Sequence, residues 1–183
     1  MQSGGLAINS ALTGHLVLST LHTNNAAGAV PRLIDMKVEP FLISSTLSVI
    51  VAQRLVRRLC EDKKEYKLSQ KDIVEIGKYC DLKKVLSMIQ KEKGANVKTI
   101  GDVVFYHPQV KKVCPDGYKG RVGIYEVMPV TETLKQLFVN GATSDQIQER
   151  AVTEGMVTMV EDGLIKAAQG LTSIEEVLRV ITE

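Results

Sequence analysis

His22 is the residue of this 183-residue sequence best placed to do chemistry. It ends an apolar run, His15-Leu16-Val17-Leu18-Ser19-Thr20-Leu21-His22, and keeps company with Thr20, Thr23 and Asn24. A neutral imidazole there can give or take one hydrogen bond with a phosphate oxygen or an attacking water. A purely structural histidine is the plainer reading, and pattern alone leaves both open. Arg121, after Tyr118-Lys119-Gly120, carries an always-charged fork that suits a phosphate or a carboxylate. No Gly-x-x-x-x-Gly-Lys-Ser/Thr loop, His-Glu-x-x-His pair or nucleophile elbow occurs in these residues. The stretch is therefore not expected to cradle a triphosphate, or to act as a hydrolase, by itself.

Cys60, Cys80 and Cys114 are an odd set that makes no disulfide framework, and a reducing cytoplasm is the expected setting. Structural zinc asks for four Cys or His ligands, usually in closely spaced pairs. Cys60 is followed three positions later by Lys63 and Cys114 by Gly117, so neither opens such a pair. Cys80 and His107 raise the possible ligands to four without supplying the spacing. Zinc is not expected.

The elements that must hold these residues follow from periodicity. The run 15–22, entered through Thr13-Gly14, reads as a buried parallel strand whose C-terminal tip opens onto a site. Thr23-Asn24-Asn25 can cap a following helix that starts with Ala26, Ala27 and Ala29 and continues its apolar face through Leu33, Ile34 and Met36. Pro31 fits only in the first turns of that helix or at a kink. Pro40 opens a second helix, predicted to run to about Ala52, and Gln53–Leu59 reads as a strand. This is an α/β order with too few strands for a complete sheet, as if the fold lacked its N-terminal side.

Further on, Leu82, Val85, Leu86 and Ile89 mark one amphipathic helix, ended by Gly94-Ala95-Asn96, and Val103–Tyr106 reads as a short strand. Arg121–Met128 alternates and is closed by Pro129, a strand again. The rest reads as helices. Thr131 caps one, Thr143 with Gln146 boxes the next, and Val160, Leu164 and Ala168 line a third. Thr172 with Glu175 is predicted to open the last, whose stripe is Ile174, Val177, Leu178 and Ile181.

Composition sets the outer bounds. Hydrophobic residues at 44% and charged residues at 24% exclude wholesale disorder. The net charge of +2 gives no global argument for nucleic acid, although residues 1–59, 60–120 and 121–183 carry +3, +4 and −5. All thirteen basic residues of the middle stretch are Lys, and on its amphipathic helix neither Arg nor an aromatic interleaves with them, so a solvated face is expected there and nucleic acid is not. The apolar run Leu47–Ala52 falls far short of the roughly 20 residues of a membrane span. Nothing at the start resembles a secretory signal.

Leu12-Thr13-Gly14-His15-Leu16-Val17-Leu18-Ser19-Thr20-Leu21-His22-Thr23-Asn24 resembles the histidine box of the type II secretion and type IV pilus assembly ATPases. Further matches follow in family order: Arg32–Met36, Glu39–Ile43, Ala52–Arg57, and Gly117-Tyr118-Lys119-Gly120-Arg121-Val122-Gly123-Ile124-Tyr125-Glu126. Glu154-Gly155-Met156, Glu161-Asp162-Gly163 and Gly170-Leu171-Thr172 extend the resemblance to Glu175-Glu176-Val177-Leu178, leaving out roughly 63–105.

The resemblance implies an α/β chain: the C-terminal portion of a RecA-like P-loop ATPase core with an inserted subdomain and a helical C-terminal tail. Residues 1–59 would belong to the core, 60–120 to the insertion, and 121–183 to a strand and the acidic tail. It also implies His22 as catalytic, and Thr20 and Arg121 as nucleotide-binding or subunit-interface residues. In the full-length motor it implies ATP and magnesium, a homo-hexamer, and a cytoplasmic place peripheral to the inner membrane. There ATP turnover would drive assembly of pilin-like fibres through an inner-membrane platform protein.

The family's Walker A lies upstream of residue 1, and its Walker B glutamate would fall at Gln2. This chain alone is therefore expected to be inactive. The family commonly carries a four-cysteine metal subdomain, of which Cys60 and Cys114 would be the remnants. A competing function is a stand-alone interaction module, binding a protein partner or an anionic surface through the Lys-rich 60–120.

Overall fold

The structure, a computed structural model, describes residues 3–93 and 97–182. Gln2 and the predicted helix end at Gly94-Ala95-Asn96 lie outside the described residues. In chain order the elements are α1 (Ser3–Leu12), α2 (Ala29–Asp35), α3 (Pro40–Thr46), β1 (Val49–Leu59), β2 (Lys63–Lys67), α4 (Gln70–Ile76) and α5 (Leu82–Lys93). A single 3₁₀ turn at Ile100–Asp102 precedes β3 (Val104–Pro108) and β4 (Tyr118–Pro129). The tail is α6 (Glu132–Val139), α7 (Ser144–Thr153), α8 (Met159–Ala168) and α9 (Ile174–Thr182). The elements are of the α/β kind, and the described strands pair two by two, β1 with β4 and β2 with β3. No described helix is long and apolar enough to cross a membrane.

The chain forms two compact units. The first runs to Ala52 and resumes over Glu126–Val157; the second holds Gln53–Tyr125 and Thr158–Glu183. In the first, Val30, Ile43, Met128, Leu134, Phe138 and Ile147 are almost fully buried. Each such side chain contributes roughly 1.5–3 kcal/mol relative to exposure. Pro40 stands at the first turn of α3, where its missing N–H costs nothing. That helix stops at Thr46, short of the predicted Ala52, because the β-branched run Val49-Ile50-Val51 goes into β1. Thr131 caps α6 and Thr143 with Gln146 boxes α7, as their spacing predicts.

One expectation is overturned in this unit. Residues 15–22 form no strand, and Leu16 and Leu18 are 89% and 88% exposed. A parallel strand is held by neighbours on its sheet, and no described strand pairs with this one. The helix after it starts later than predicted, at Ala29 behind Gly28, which makes no side-chain cap. Asn25 Oδ1 instead closes the turn before it by accepting the Gly28 N–H at 2.8 Å, and Pro31 falls in the first turn of α2.

The second unit is built around Val85, Ile89, Phe105, Leu164, Ile165 and Ile174. The predicted amphipathic helix is α5, which packs its Val85–Ile89 face on α8. β2 runs antiparallel to β3, Lys63 opposite Pro108 and Lys67 opposite Val104. The Cys60 N–H donates to the Gly117 carbonyl at 3.0 Å at the end of β1. Gly117 has φ 75°, and a Cβ there would press within 3.1 Å of the Pro108 backbone, so the turn into β4 requires glycine. The cap of α9 also differs from expectation. Ser173 Oγ accepts the Glu176 N–H at 3.3 Å, whereas the Thr172 hydroxyl donates to the Arg57 carbonyl at 2.8 Å and ties the tail to β1.

Candidate functional site

Thr20 and His22 lie on the first unit, both exposed on the irregular stretch that precedes the Asn25 turn. Exposure leaves the His22 imidazole free to meet a ligand rather than serve the core. Immediately after it the chain turns inward and is hydrogen-bonded. Thr23 Oγ1 donates to the Asn25 carbonyl at 3.1 Å, and Ala26 and Ala27 are completely buried.

Glu126, on β4, is bonded to that buried turn. One carboxylate oxygen accepts the Ala26 N–H at 3.0 Å, and the other accepts from Gln148 Nε2 at 3.4 Å. The side chain is 5% exposed, between inward-facing Ile124 and Met128. Sequence reasoning passed over Glu126, yet it left a signal: an acid at an inward position of an alternating strand. Burying a carboxylate is costly unless its oxygens are hydrogen-bonded, so such a residue calls for partners.

Arg121 lies on the second unit and is exposed on β4 just after Gly120, whose φ is 78°. Nearby on that unit, Arg57 serves a structural purpose. Its backbone N–H and its Nη2 both donate to Glu176, at 3.1 and 2.7 Å, and its guanidinium lies 4.2 Å from the centre of the Tyr118 ring. The Tyr118 hydroxyl is 2.7 Å from Ser173 Oγ, and Arg179 donates twice more to Glu176. Burial works against a charged Glu176, but the hydrogen bonds from Arg179 and Arg57 outweigh it and bring the carboxyl down to about 2.

The cysteines depart from expectation. Cys60 and Cys114, expected as unpaired remnants of a metal motif, are bonded to each other, with 6.8 Å between their Cα atoms. A separation of 54 residues hid the pair from any local reading. With both sulfurs in a disulfide, the residues do not fit a thiolate zinc site, and no three His, Cys, Asp or Glu among the described residues gather as one. Cys80 is free and half-buried, and burial pushes its thiol up to about 12. His107 pairs with Glu175 at 2.8 Å and stacks on Tyr66 with ring centres 3.7 Å apart. A groove of about 340 Å³ beside α3 and α6 is lined by Ser44, Ser45, Glu132 and Lys135, and by none of the residues singled out from the sequence.

A family model described as type II/IV secretion system protein matches residues 2–179. Type II secretion system protein E of Xanthomonas campestris pv. campestris is 42% identical over 181 residues, 98% of this chain and 29% of that protein. Type IV pilus assembly ATPase PilB of Myxococcus xanthus is 39% identical over 180 residues, 97% of this chain and 29% of that one. Type II secretion system ATPase E of Vibrio cholerae is 40% identical over 183 residues, 100% of this chain and 33% of that protein. The chain thus spans about a third or less of the length of these relatives. A match that runs through both compact units, at about 40% identity, places this chain in the type II/IV secretion system protein family.

Proposed function

We propose that this chain is the C-terminal portion of a RecA-like secretion or pilus-assembly motor, and that His22 acts on ATP in the full-length protein. The observation that carries the reading is the exposed His22 on a stretch that ends in a buried, pinned turn. That arrangement presents a hydrogen-bonding ring to a ligand from a fixed point of the chain. In this reading His22 and Thr20 face the terminal phosphate or orient the attacking water. Arg121 supplies its fork to phosphate, in its own subunit or across a subunit interface. The motor works as a homo-hexamer on magnesium-ATP. It acts on the cytoplasmic side, against an inner-membrane platform protein, and drives assembly of pilin-like fibres and secretion.

The insertion supports this reading over a stand-alone binding surface, because part of its Lys complement is engaged inside the second unit. Lys84 pairs with buried Glu161 at 2.8 Å, and Lys63 donates to the Gly170 carbonyl at 2.7 Å.

The test is ATP turnover by the full-length protein with His22→Ala and Arg121→Ala made separately. Each should lower kcat by about 10²-fold if it acts in the transition state. Both variants should fold, since both side chains are exposed. Full turnover in both, or failure of both to fold, overturns the assignment.

A further inference from the structure

The geometry points to Glu126 as a positioning residue for the proposed ATP chemistry, acting through the turn that follows His22. The inference rests on the reading of His22 given above. Its physical basis is the cost of the residue itself. Met128, two positions on, shows that this face of β4 accepts a fully buried apolar side chain. A carboxylate at such a place loses its hydration, and hydrogen bonds only partly offset the loss. The acid makes a charge-assisted bond to the backbone N–H of Ala26, across 100 positions of sequence. Ala26 is the first fully buried residue after His22. Holding its N–H fixes where the exposed stretch ends, and so where the imidazole can reach.

Gln148 adds a specific expectation. Its Nε2 donates to Glu126, while its Oε1 is buried with no hydrogen-bond partner. Turning that amide over would offer an acceptor to a glutamine at position 126, whose own oxygen would still take the Ala26 N–H. Glu126→Gln can therefore keep both bonds, whereas Glu126→Leu keeps neither.

The experiment measures kcat and KM for ATP on the full-length protein carrying Glu126→Leu, Glu126→Gln and Glu126→Asp, each alone and combined with His22→Ala. Glu126→Leu should lower kcat by about 10-fold or more with little change in KM, because a misplaced group is lost to the transition state. Glu126→Gln should restore it. In the His22→Ala background, Glu126→Leu should cost nothing further, which a loss of general packing would not reproduce. Should Glu126→Leu fail to fold, Glu126→Asp keeps the charge but draws the oxygen back, and should show the same loss confined to the His22 background. Wild-type kcat in the Leu or Asp variant overturns the inference, as does an equal loss with and without His22. If His22→Ala is silent while Glu126→Leu is not, the reading of His22 falls and the inference falls with it. If His22→Ala loses turnover and the Glu126 variants do not, only the inference falls.

Discussion

Arg57 and Glu176 stand 119 positions apart and hold each other twice, through the Arg57 backbone N–H at 3.1 Å and its Nη2 at 2.7 Å. The Glu176 side chain is 1% exposed, so the contact locks the tail onto β1 with a buried charge. Arg54 adds a bond from Nη1 to the Val180 carbonyl at 2.9 Å. Together these make the Arg-Leu-Val-Arg strand the anchor of the last helix.

Glu176→Ala should destabilise the chain by about 2–3 kcal/mol, because it strips two guanidinium groups and one backbone N–H of their acceptor. Urea denaturation checks this. The same pair gives a pH signature. Glu176 stays charged in the fold down to about 2, whereas its ordinary value is 4.5. Its contribution is therefore present above pH 4.5 and lost as the pH falls from there towards 2. Wild-type stability should drop through that window, and Glu176→Gln should flatten the drop.

The Cys60–Cys114 bond closes a loop of 54 residues around most of the stretch 60–120. On loop-entropy grounds it should contribute about 4 kcal/mol at most. The 183-residue chain should melt at a lower temperature in reductant, and the Cys60→Ser, Cys114→Ser double variant should melt low in either condition. Without reductant, thiol titration should find one reactive group after unfolding and almost none before it, since Cys80 is half-buried with its thiol pushed up to about 12.

Gly163 lets α8 and α9 approach closely. A Cβ there would lie 2.5 and 2.9 Å from the two methyls of Val177, a β-branched side chain with little freedom to turn away. Gly163→Ala gains about 1 kcal/mol of helix propensity. The overpacking costs more, so a net loss of about 1–2 kcal/mol is expected. Adding Val177→Ala should recover part of it, and a stabilised single variant would refute the close-packing account.

Much of the tail was legible because its signals are local. Thr131, and Thr143 with Gln146, declare their helices within four residues, and Val85 and Ile89 declare a buried stripe. Features set by distant partners were not. β2 is Lys-Lys-Glu-Tyr-Lys, a poor strand by composition, and exists by pairing with β3 about 40 positions on. The Thr172 hydroxyl left its own helix for the Arg57 carbonyl, and only the fold brings those two together. Residues 15–22 show the converse. Their pattern is that of a buried strand, yet a strand also needs neighbours, which the pattern cannot supply. At the candidate site, His22 is proposed from its company in the sequence, whereas Glu126 needed its partners Ala26 and Gln148 to be seen.

Phosphate release from ATP, followed side by side for the 183-residue chain, the full-length protein and full-length His22→Ala, tests the central claim most directly. The chain lacks a P-loop in its sequence, so it should release phosphate no faster than background. The full-length protein should turn over, and His22→Ala should slow it by about 10²-fold while the protein stays folded. Turnover by the chain alone, or a full-length His22→Ala protein as fast as wild type, would contradict the account.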